Sequence, residues 1–293
     1  MKQDFDSYAF VDAGNGRKLE RFGAYLLDRP CAQAVWQPQQ PAALWRQADA
    51  VFTREGRDGA WQCRTAIADS WNCRLAGLQF ELQLTDFGHV GLFPEHAMAW
   101  RLLPELAVKA GRQLSVLNLF AYSGGASLAL AKAGCRVCHL DASKKMMAWA
   151  RRNAELNDLE SASIRWIIDD VQKFLRREIR RRQYDGIILD PPSFGRGSRR
   201  ELFQIDAHIP ALLDLCKQVL SDQAEFLFLS CHTPGYTPLV LKNLISQILP
   251  RDDIQAGELT LPENKQSLAL PSGTYAYWSR HSNPCPENLR TSV

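Results

Sequence analysis

The pattern of apolar and polar residues divides the chain into two parts. In the first part, residues 78–84 alternate between apolar and polar side chains, which predicts a strand with one buried and one solvated face. An Asn-Gly pair at 15–16 separates apolar segments and indicates a turn, and Gly56 and Gly59 indicate a hairpin. These patterns predict a smaller, β-rich N-terminal domain over residues 1–93.

From residue 94 onward, short apolar runs alternate regularly with segments of helical spacing. The predicted strands are QLSVLNLFA, RVCHLD, ASIRWIID, YDGIILD and AEFLFLS. Strands that are apolar almost throughout are typical of parallel sheets covered on both faces. The pattern therefore predicts an α/β fold with a doubly wound, Rossmann-like sheet in a domain over residues 94–293. Pro104 interrupts the first helical segment and could kink or split it.

In a doubly wound sheet, ligands bind beyond the carboxyl ends of the strands. The residues at those ends are therefore the candidates for a functional site. They are Asn118 and Phe120, Asp141, Asp169 and Asp170, Asp190, and Cys231.

Two adjacent glycines follow the first of these strands. Gly124 and Gly125 permit a tight turn, a close approach of a ligand to the backbone, and an anion at the amides of the next helix. The segment lacks the G-x-G-x-x-G spacing of dinucleotide-binding proteins, and a glycine pair suits a carboxylate better than a pyrophosphate. The same pair would also serve as a simple turn.

Two carboxylates extend this pattern toward a nucleoside. Asp141 ends the second strand, where a carboxylate can accept hydrogen bonds from two ribose hydroxyls. Asp170 is placed to accept a hydrogen bond from an adenine amino group, although it could equally cap the following helix. A carboxylate, a ribose and an adenine in line describe S-adenosylmethionine better than a nicotinamide cofactor.

The segment DPPSFG, which begins at Asp190, follows the fourth strand. Two consecutive prolines cannot continue a central strand, so they fix the backbone and present Asp190 to the crevice. Asp190 is a candidate catalytic residue that holds an amino group of the substrate, and Phe194 could stack on a planar base. The alternative is a rigid loop in which Asp190 caps locally.

Four segments together resemble the successive motifs of class I S-adenosylmethionine-dependent methyltransferases. They are VLNLFAYSGGASLALAKAG, VCHLDASKKMMAWARRNAELN, IIDDVQKFL and IILDPPSFGRG. More narrowly, they resemble the bacterial 23S ribosomal RNA large-subunit methyltransferases that make 5-methylcytosine, as does GHVGLFPEH at 88–96. The resemblance covers residues 75–250, and the first 70 residues show no recognisable RNA-docking module of that family.

The resemblance implies S-adenosyl-L-methionine as cofactor. It implies Phe120, Tyr122, Ser123, Gly124 and Gly125 around the methionine end, Asp141 on the ribose and Asp170 near the adenine. Asn118, Ala142, Val171 and Asp190 complete the predicted cofactor-binding set.

The resemblance also raises a question about Cys231. Methylation at carbon 5 of cytosine needs a thiolate that adds to carbon 6, and Cys231 is the cysteine placed for that role. His232 could lower the pKa of the thiol. If Cys231 is instead a chance small residue, Asp190 would orient a nitrogen or oxygen acceptor for direct attack on the methyl group.

Composition and charge exclude few classes of binding partner. The net charge is +3, which neither indicates nor excludes nucleic acid. A basic segment at 176–182 is typical of a solvated helix face. Arg196, Arg199 and Arg200 follow Asp190 closely, and there they favour RNA as partner.

The sequence predicts no membrane segment, no secretory signal and no metal site, and therefore a cytoplasmic protein. We expect methyl transfer to RNA, with ribosomal RNA as the expected substrate. The alternatives are a methyltransferase acting on a protein or small molecule, and a non-catalytic RNA-binding protein with the same fold. The oligomeric state is not indicated by the sequence.

Overall fold

The computed structural model describes residues 6–55, 58–196, 202–249, 253–261 and 267–281. The chain forms two compact units. One comprises Met1–Met98, Glu155–Asn157 and Leu259–Ser272, and the other comprises Ala99–Ala154, Asp158–Glu258 and Gly273–Val293. The domain boundary expected after residue 93 stays a prediction.

The first unit contains a five-stranded sheet in the order β1-β2-β3-β4-β5. Its strands are β1 (Tyr8–Gly14), β2 (Arg17–Phe22), β3 (Tyr25–Pro30), β4 (Ala50–Glu55) and β5 (Asp58–Cys63), with a short helix α1 (Ala42–Trp45) between β3 and β4. All neighbouring strands are antiparallel except β3 and β4. Asn15 and Gly16 both have a left-handed φ, of 52° and 74°, as a tight hairpin turn requires. The expected β-rich N-terminal part is thus present.

A two-stranded hairpin joins β6 (Trp71–Leu75) to β7 (Leu78–Leu82). The alternation that predicts a half-buried strand over this region is confirmed, because Leu78, Phe80 and Leu82 are buried and the residues between them are only partly buried. A single turn of 3-10 helix, Pro94–His96, precedes the next helix.

A seven-stranded sheet follows, in the order β10-β9-β8-β11-β14-β16-β15. Its strands are β8 (Ser115–Leu119), β9 (Arg136–Asp141), β10 (Ile164–Ile168), β11 (Gly186–Leu189), β14 (Phe226–Cys231), β15 (Gln255–Thr260) and β16 (Pro271–Ser279). The first five strands in this order are parallel, and β16 runs antiparallel to β14. The doubly wound parallel sheet expected from the sequence is thereby confirmed.

Within the described ranges, six helices accompany this sheet: the first precedes β8, four connect the parallel strands, and the last follows β14. They are α2 (Ala97–Lys109), α3 (Gly125–Lys132), α4 (Lys144–Leu156), α5 (Val171–Glu178), α6 (Ile205–Val219) and α7 (Pro238–Ile248). Helix α2 continues through Pro104 without a break. A small hairpin, β12 (Phe194–Arg196) and β13 (Leu202–Gln204), lies between β11 and α6. Among the described residues, no helix combines the length and the apolar character that crossing a bilayer requires.

The register of the parallel strands places the candidate residues at one edge of the sheet. Leu119 pairs with both Leu140 and Leu189, and Leu189 pairs with Leu229. These leucines are fully buried and belong to one hydrophobic core. The residues that follow them in each strand therefore meet at the carboxyl edge.

Candidate active site

The loop after β8 has an unusual backbone. Phe120, Tyr122 and Gly124 have φ values of 57°, 49° and 99°, in the left-handed region that side chains other than glycine rarely adopt. The amide of Ala121 donates to the carbonyl of Leu140 at 3.0 Å, and the amide of Gly124 donates to Ala121 at 3.0 Å. Each left-handed non-glycine residue costs about 1–2 kcal/mol, and such strain is concentrated at functional sites.

The carboxylate of Asp141 lies against this loop. Its Oδ2 accepts a hydrogen bond from the amide of Tyr122 at 2.9 Å, and its Oδ1 accepts one from the amide of Ser143 at 2.8 Å. Burial raises the pKa of Asp141, and the two amide donors partly oppose this effect. Each oxygen retains a second lone pair, so the carboxylate can accept two further hydrogen bonds from a diol. Ala142, the next residue, is half-buried.

The start of helix α3 offers backbone amides to an anion. Its N-cap is Gly124, which provides no side-chain acceptor, so the first-turn amides are not capped by the chain in the usual way. The preceding residue, Ser123, is buried and accepts a hydrogen bond at its carbonyl from Asn153 at 2.9 Å. Uncapped amides and the positive end of the helix dipole together favour a carboxylate.

Asn118 lies deeper in the sheet than the loop residues. Its side-chain amide donates to the hydroxyl of Ser127 at 2.9 Å, and Ser127 lies 3.0 Å from Nδ1 of His139. All three residues are buried. The structure therefore gives Asn118 a packing role between β8, α3 and β9, and its role in cofactor binding stays a prediction.

Asp170 caps helix α5. Its Oδ1 accepts a hydrogen bond from the amide of Lys173 at 2.9 Å, as an N-cap residue does. Val171, the first helical residue, is buried. Asp169 forms an ion pair with Arg177. The helix-capping alternative is thus realised, and the second carboxylate oxygen of Asp170 is still available to an adenine amino group.

A second group of polar residues surrounds Asp190 at the end of β11. Its Oδ1 accepts a hydrogen bond from the hydroxyl of Ser230 at 2.8 Å and lies 3.5 Å from Nε2 of His232. The hydroxyl groups of Ser193 and Thr233 lie 2.6 Å apart. The carboxyl ends of β11 and β14 are therefore linked by side-chain contacts that fix the orientation of Asp190.

Phe194 is exposed over 69% of its surface. It begins β12 and pairs in register with Gln204 of β13. This aromatic ring, four residues after Asp190, presents a flat face to solvent on which a planar base could stack.

Cys231 does not have the environment of a reactive thiol. It is only 1% exposed and belongs to the hydrophobic core. Burial raises the pKa of its thiol, and the amide of Thr233, 3.4 Å from Sγ, lowers it only in part. The expectation of a lowered thiol pKa is contradicted, because burial raises this pKa.

Sequence reasoning missed Ser230 and the role of His232. The signal was present in the segment LSCHTP, because side chains alternate across a strand. Ser230 and His232 stand two residues apart and both contact Asp190, whereas the Cys231 thiol between them is buried in the hydrophobic core. Of the three basic residues near the site, Arg199 and Arg200 lie outside the described residues, as does the side chain of Arg196.

Comparisons with known proteins agree with this geometry. A model of the S-adenosylmethionine-dependent methyltransferase family matches residues 28–221. The ribosomal RNA large subunit methyltransferase K/L of Shewanella sp. (strain ANA-3) is 35% identical over 156 residues, 52% of this chain and 21% of that protein. The protein of the same name from Pseudoalteromonas translucida is 32% identical over 171 residues, 58% of this chain and 23% of that protein. The chain thus spans less than a quarter of the length of these curated relatives.

Solved structures extend the similarity to nearly the whole chain. A SAM-dependent methyltransferase from Agrobacterium tumefaciens is 39% identical, with a TM-score of 0.88, over 93% of this chain and 90% of that one. A methyltransferase complexed with SAH shares the fold, at 20% identity and a TM-score of 0.71, over 93% of this chain and 75% of that one. The resemblance to class I methyltransferases is confirmed. The match over residues 28–221 and the similarity to the Agrobacterium protein show that the chain belongs to the S-adenosylmethionine-dependent methyltransferase family.

Proposed function

We propose that this protein transfers a methyl group to a base of RNA, and that the RNA is ribosomal. The observation that carries the proposal is the arrangement at Asp190, where a fixed carboxylate is followed by two prolines and the exposed ring of Phe194. The names of the curated relatives, ribosomal RNA large subunit methyltransferase K/L, support the choice of RNA. We also propose that the protein acts in the cytoplasm, where ribosomal RNA would be available to it.

The residues at the carboxyl edge fit the cofactor of the family. The uncapped first-turn amides that follow Gly124 suit its carboxylate, and the free lone pairs of Asp141 suit its ribose hydroxyls. Asp170 would accept from its adenine amino group with the oxygen that does not cap α5. Bound there, S-adenosylmethionine supplies an electrophilic methyl group.

Asp190 would hold the acceptor in this proposal. A carboxylate accepts a hydrogen bond from an N–H of the base, which fixes the direction of the nitrogen lone pair and provides a place for the released proton. Phe194 would stack on the face of the same base. Positioning of the two reactants accounts for most of the acceleration in such a reaction.

We propose direct attack by the acceptor rather than a covalent cysteine adduct. A thiolate that adds to a pyrimidine ring has to be ionised and accessible. Cys231 is buried in the hydrophobic core and the pKa of its thiol is raised. This environment opposes both requirements and favours nitrogen over carbon 5 of cytosine as the acceptor atom.

The proposal is tested by transfer of a tritiated methyl group to ribosomal RNA from a strain that lacks this protein. We expect label in 23S RNA with the wild-type protein, and a large loss with Asp190→Ala. Asp214→Ala is the matched control, because Asp214 is an exposed carboxylate on α6. Digestion to nucleosides followed by mass spectrometry then identifies the methylated atom.

The outcomes separate the alternatives. Label in protein or in small molecules, with none in RNA, would assign the enzyme to another substrate class. Absence of S-adenosylhomocysteine binding in calorimetry would indicate a non-catalytic protein of the same fold and overturn the proposal.

A further inference from the structure

A cavity lies at the amino edge of the seven-stranded sheet. Its volume is about 520 Å³. It is lined by residues that begin or precede the parallel strands, namely Ser115, Arg136, Ser163, Tyr184 and Asp185. The carboxylates of Asp141 and Asp190 lie at the other ends of the same strands. The cavity is therefore separate from the candidate active site.

The cavity lining is basic, because it contains four arginines: Arg136, Arg165, Arg181 and Arg182. Arg165 forms an ion pair with Glu178 at 3.0 Å. In the part of the chain that the structure describes, the side chains of Arg136, Arg181 and Arg182 form no ion pair. Arg182 acts on the carboxylate of Glu178 only through a longer-range charge interaction, so these three guanidinium groups keep their hydrogen-bond donors for a ligand.

The acidic residues near the cavity are already compensated. Asp185 contacts Arg112 at 3.1 Å, and it also accepts hydrogen bonds from the amide of Ser115 at 2.8 Å and the hydroxyl of Ser221 at 3.0 Å. Glu178 accepts a hydrogen bond from Tyr184 at 2.7 Å in addition to its pair with Arg165. The net charge of the cavity is therefore positive.

Local backbone structure places two of the arginines. Helix α5 ends at Glu178, whose side chain is buried. The carbonyl of Glu178 then accepts hydrogen bonds from the amides of Arg181 at 2.7 Å and Arg182 at 3.0 Å. This turn directs the end of the basic segment 176–182 to the cavity. Arg181 and Arg182 line the cavity and stay exposed to solvent, whereas the equally exposed Arg176 and Arg180 do not line it.

We propose that this cavity binds phosphate groups of the RNA backbone, an inference that rests on the proposed function. Guanidinium groups bind phosphate with two parallel hydrogen bonds, and phosphate contacts fix the position of a nucleic acid without reading its sequence. A five-residue strand spans about 17 Å, so one RNA molecule can reach both edges of the sheet. The cavity would hold the backbone while a base a few nucleotides away enters the active site.

The test compares two double variants that remove the same charge. Arg136→Ala/Arg182→Ala removes two unpaired cavity arginines, and Arg176→Ala/Arg180→Ala removes two arginines of the same basic segment outside the cavity. Binding of a 23S RNA fragment is measured by fluorescence anisotropy over a range of salt concentrations. Thermal melting and calorimetry with S-adenosylhomocysteine verify that both variants are folded and bind cofactor.

We expect the cavity variant to bind RNA about tenfold more weakly at low salt, with the slope of log affinity against log salt smaller by about 1.4, since each phosphate contact contributes about 0.7 for single strands. The control variant should stay within about twofold of wild type. Equal RNA affinity of the two variants would overturn the inference. So would binding of inorganic phosphate to the cavity without any effect on RNA affinity, because the site would then serve free phosphate.

A failure of this inference can be distinguished from a failure of the proposed function. A cavity effect on RNA affinity without methyl transfer to that RNA would contradict the proposed reaction and support the cavity. Methyl transfer to the RNA, together with equal RNA affinities of the two double variants, would support the proposed reaction and contradict the cavity inference.

Discussion

The indole ring of Trp100 occupies the space that a side chain at position 125 would need. A Cβ atom on Gly125 would lie 2.3 Å from Cζ2 and 2.4 Å from Cε2 of Trp100, far closer than real contacts allow. The two positions after β8 therefore require glycine for two different physical reasons. Gly124 supplies a left-handed φ of 99°, and Gly125 is required by packing between α2 and α3.

Gly125→Ala is expected to lower the free energy of unfolding. Overpacking of a filled site costs about 1–3 kcal/mol, because the Trp100 ring or the helix has to move. Chemical denaturation measures this loss. The same substitution in a Trp100→Leu background is the control, and there its cost should fall by at least about 0.5 kcal/mol. An identical loss in both backgrounds would show that Trp100 is not the cause.

Much of this site follows from the order of residues along the chain. Asp141, Asp170 and Asp190 each follow an apolar run, and in a parallel sheet such positions meet at one edge. The partner of Gly125 could not be predicted, because Trp100 approaches it from another helix. The burial of Cys231 was predictable only from strand alternation, since the sequence motif alone placed both Cys231 and Ser230 at the strand end.

The basic segment 176–182 illustrates the same limit. Its composition is typical of a solvated helix face. In the structure, helix α5 ends at Glu178, so Arg181 and Arg182 lie beyond the helix and line a cavity. Charge patterns predict exposure well, whereas the end of a helix decides which charges share one surface.

Affinity for S-adenosylhomocysteine should depend on the ionisation of Asp141. Burial raises its pKa above the ordinary value of 3.8, and the ionised form is the better acceptor for ribose hydroxyls. Affinity should therefore fall as pH is lowered from neutral through the raised pKa. Calorimetry at several pH values measures this change. Asp141→Asn should bind about 10–100-fold more weakly at neutral pH and lose this pH dependence.

The stability contribution of Asp141 should have the opposite sign. A raised native pKa means that the folded protein holds this proton more tightly than the unfolded chain does. The resulting stabilisation is fully present below pH 3.8 and is lost as pH rises through the raised native pKa. For the binding prediction, a wild-type pH dependence of cofactor affinity in Asp141→Asn would mean that the titration of another group causes that dependence.

Asp170 has two roles that substitution can separate. Asp170→Ala should lower the free energy of unfolding by about 0.5–2 kcal/mol, because the amide of Lys173 loses its N-cap acceptor. Asp170→Ser restores a capping oxygen and should recover most of that stability. Both variants should bind S-adenosylhomocysteine more weakly if the carboxylate also accepts from adenine. Wild-type affinity in the serine variant would leave Asp170 with the cap alone.

Cys231→Ala should keep most of the methyl transfer activity. The thiol is buried, its pKa is raised, and the proposed reaction does not use it. We expect a change in kcat of less than about fivefold, together with a modest loss of stability from the small cavity. Cys231→Ser is the second variant, since it keeps the volume and removes the thiol. A loss of a thousandfold or more in both folded variants would instead establish a covalent route.

Substitutions at Asp190 and Ser230 should affect the chemical step more than cofactor binding. Asp190→Asn is expected to lower kcat by about 10²–10⁴-fold, because the amide neither orients the acceptor as a carboxylate does nor takes up a proton.

Ser230→Ala removes the 2.8 Å hydrogen bond that positions Asp190 and should lower kcat by about fivefold, the equivalent of one ordinary hydrogen bond. Single-turnover rates and calorimetry with S-adenosylhomocysteine separate the two effects. A fall in melting temperature with unchanged kcat in Ser230→Ala would mean that this hydroxyl only stabilises the fold.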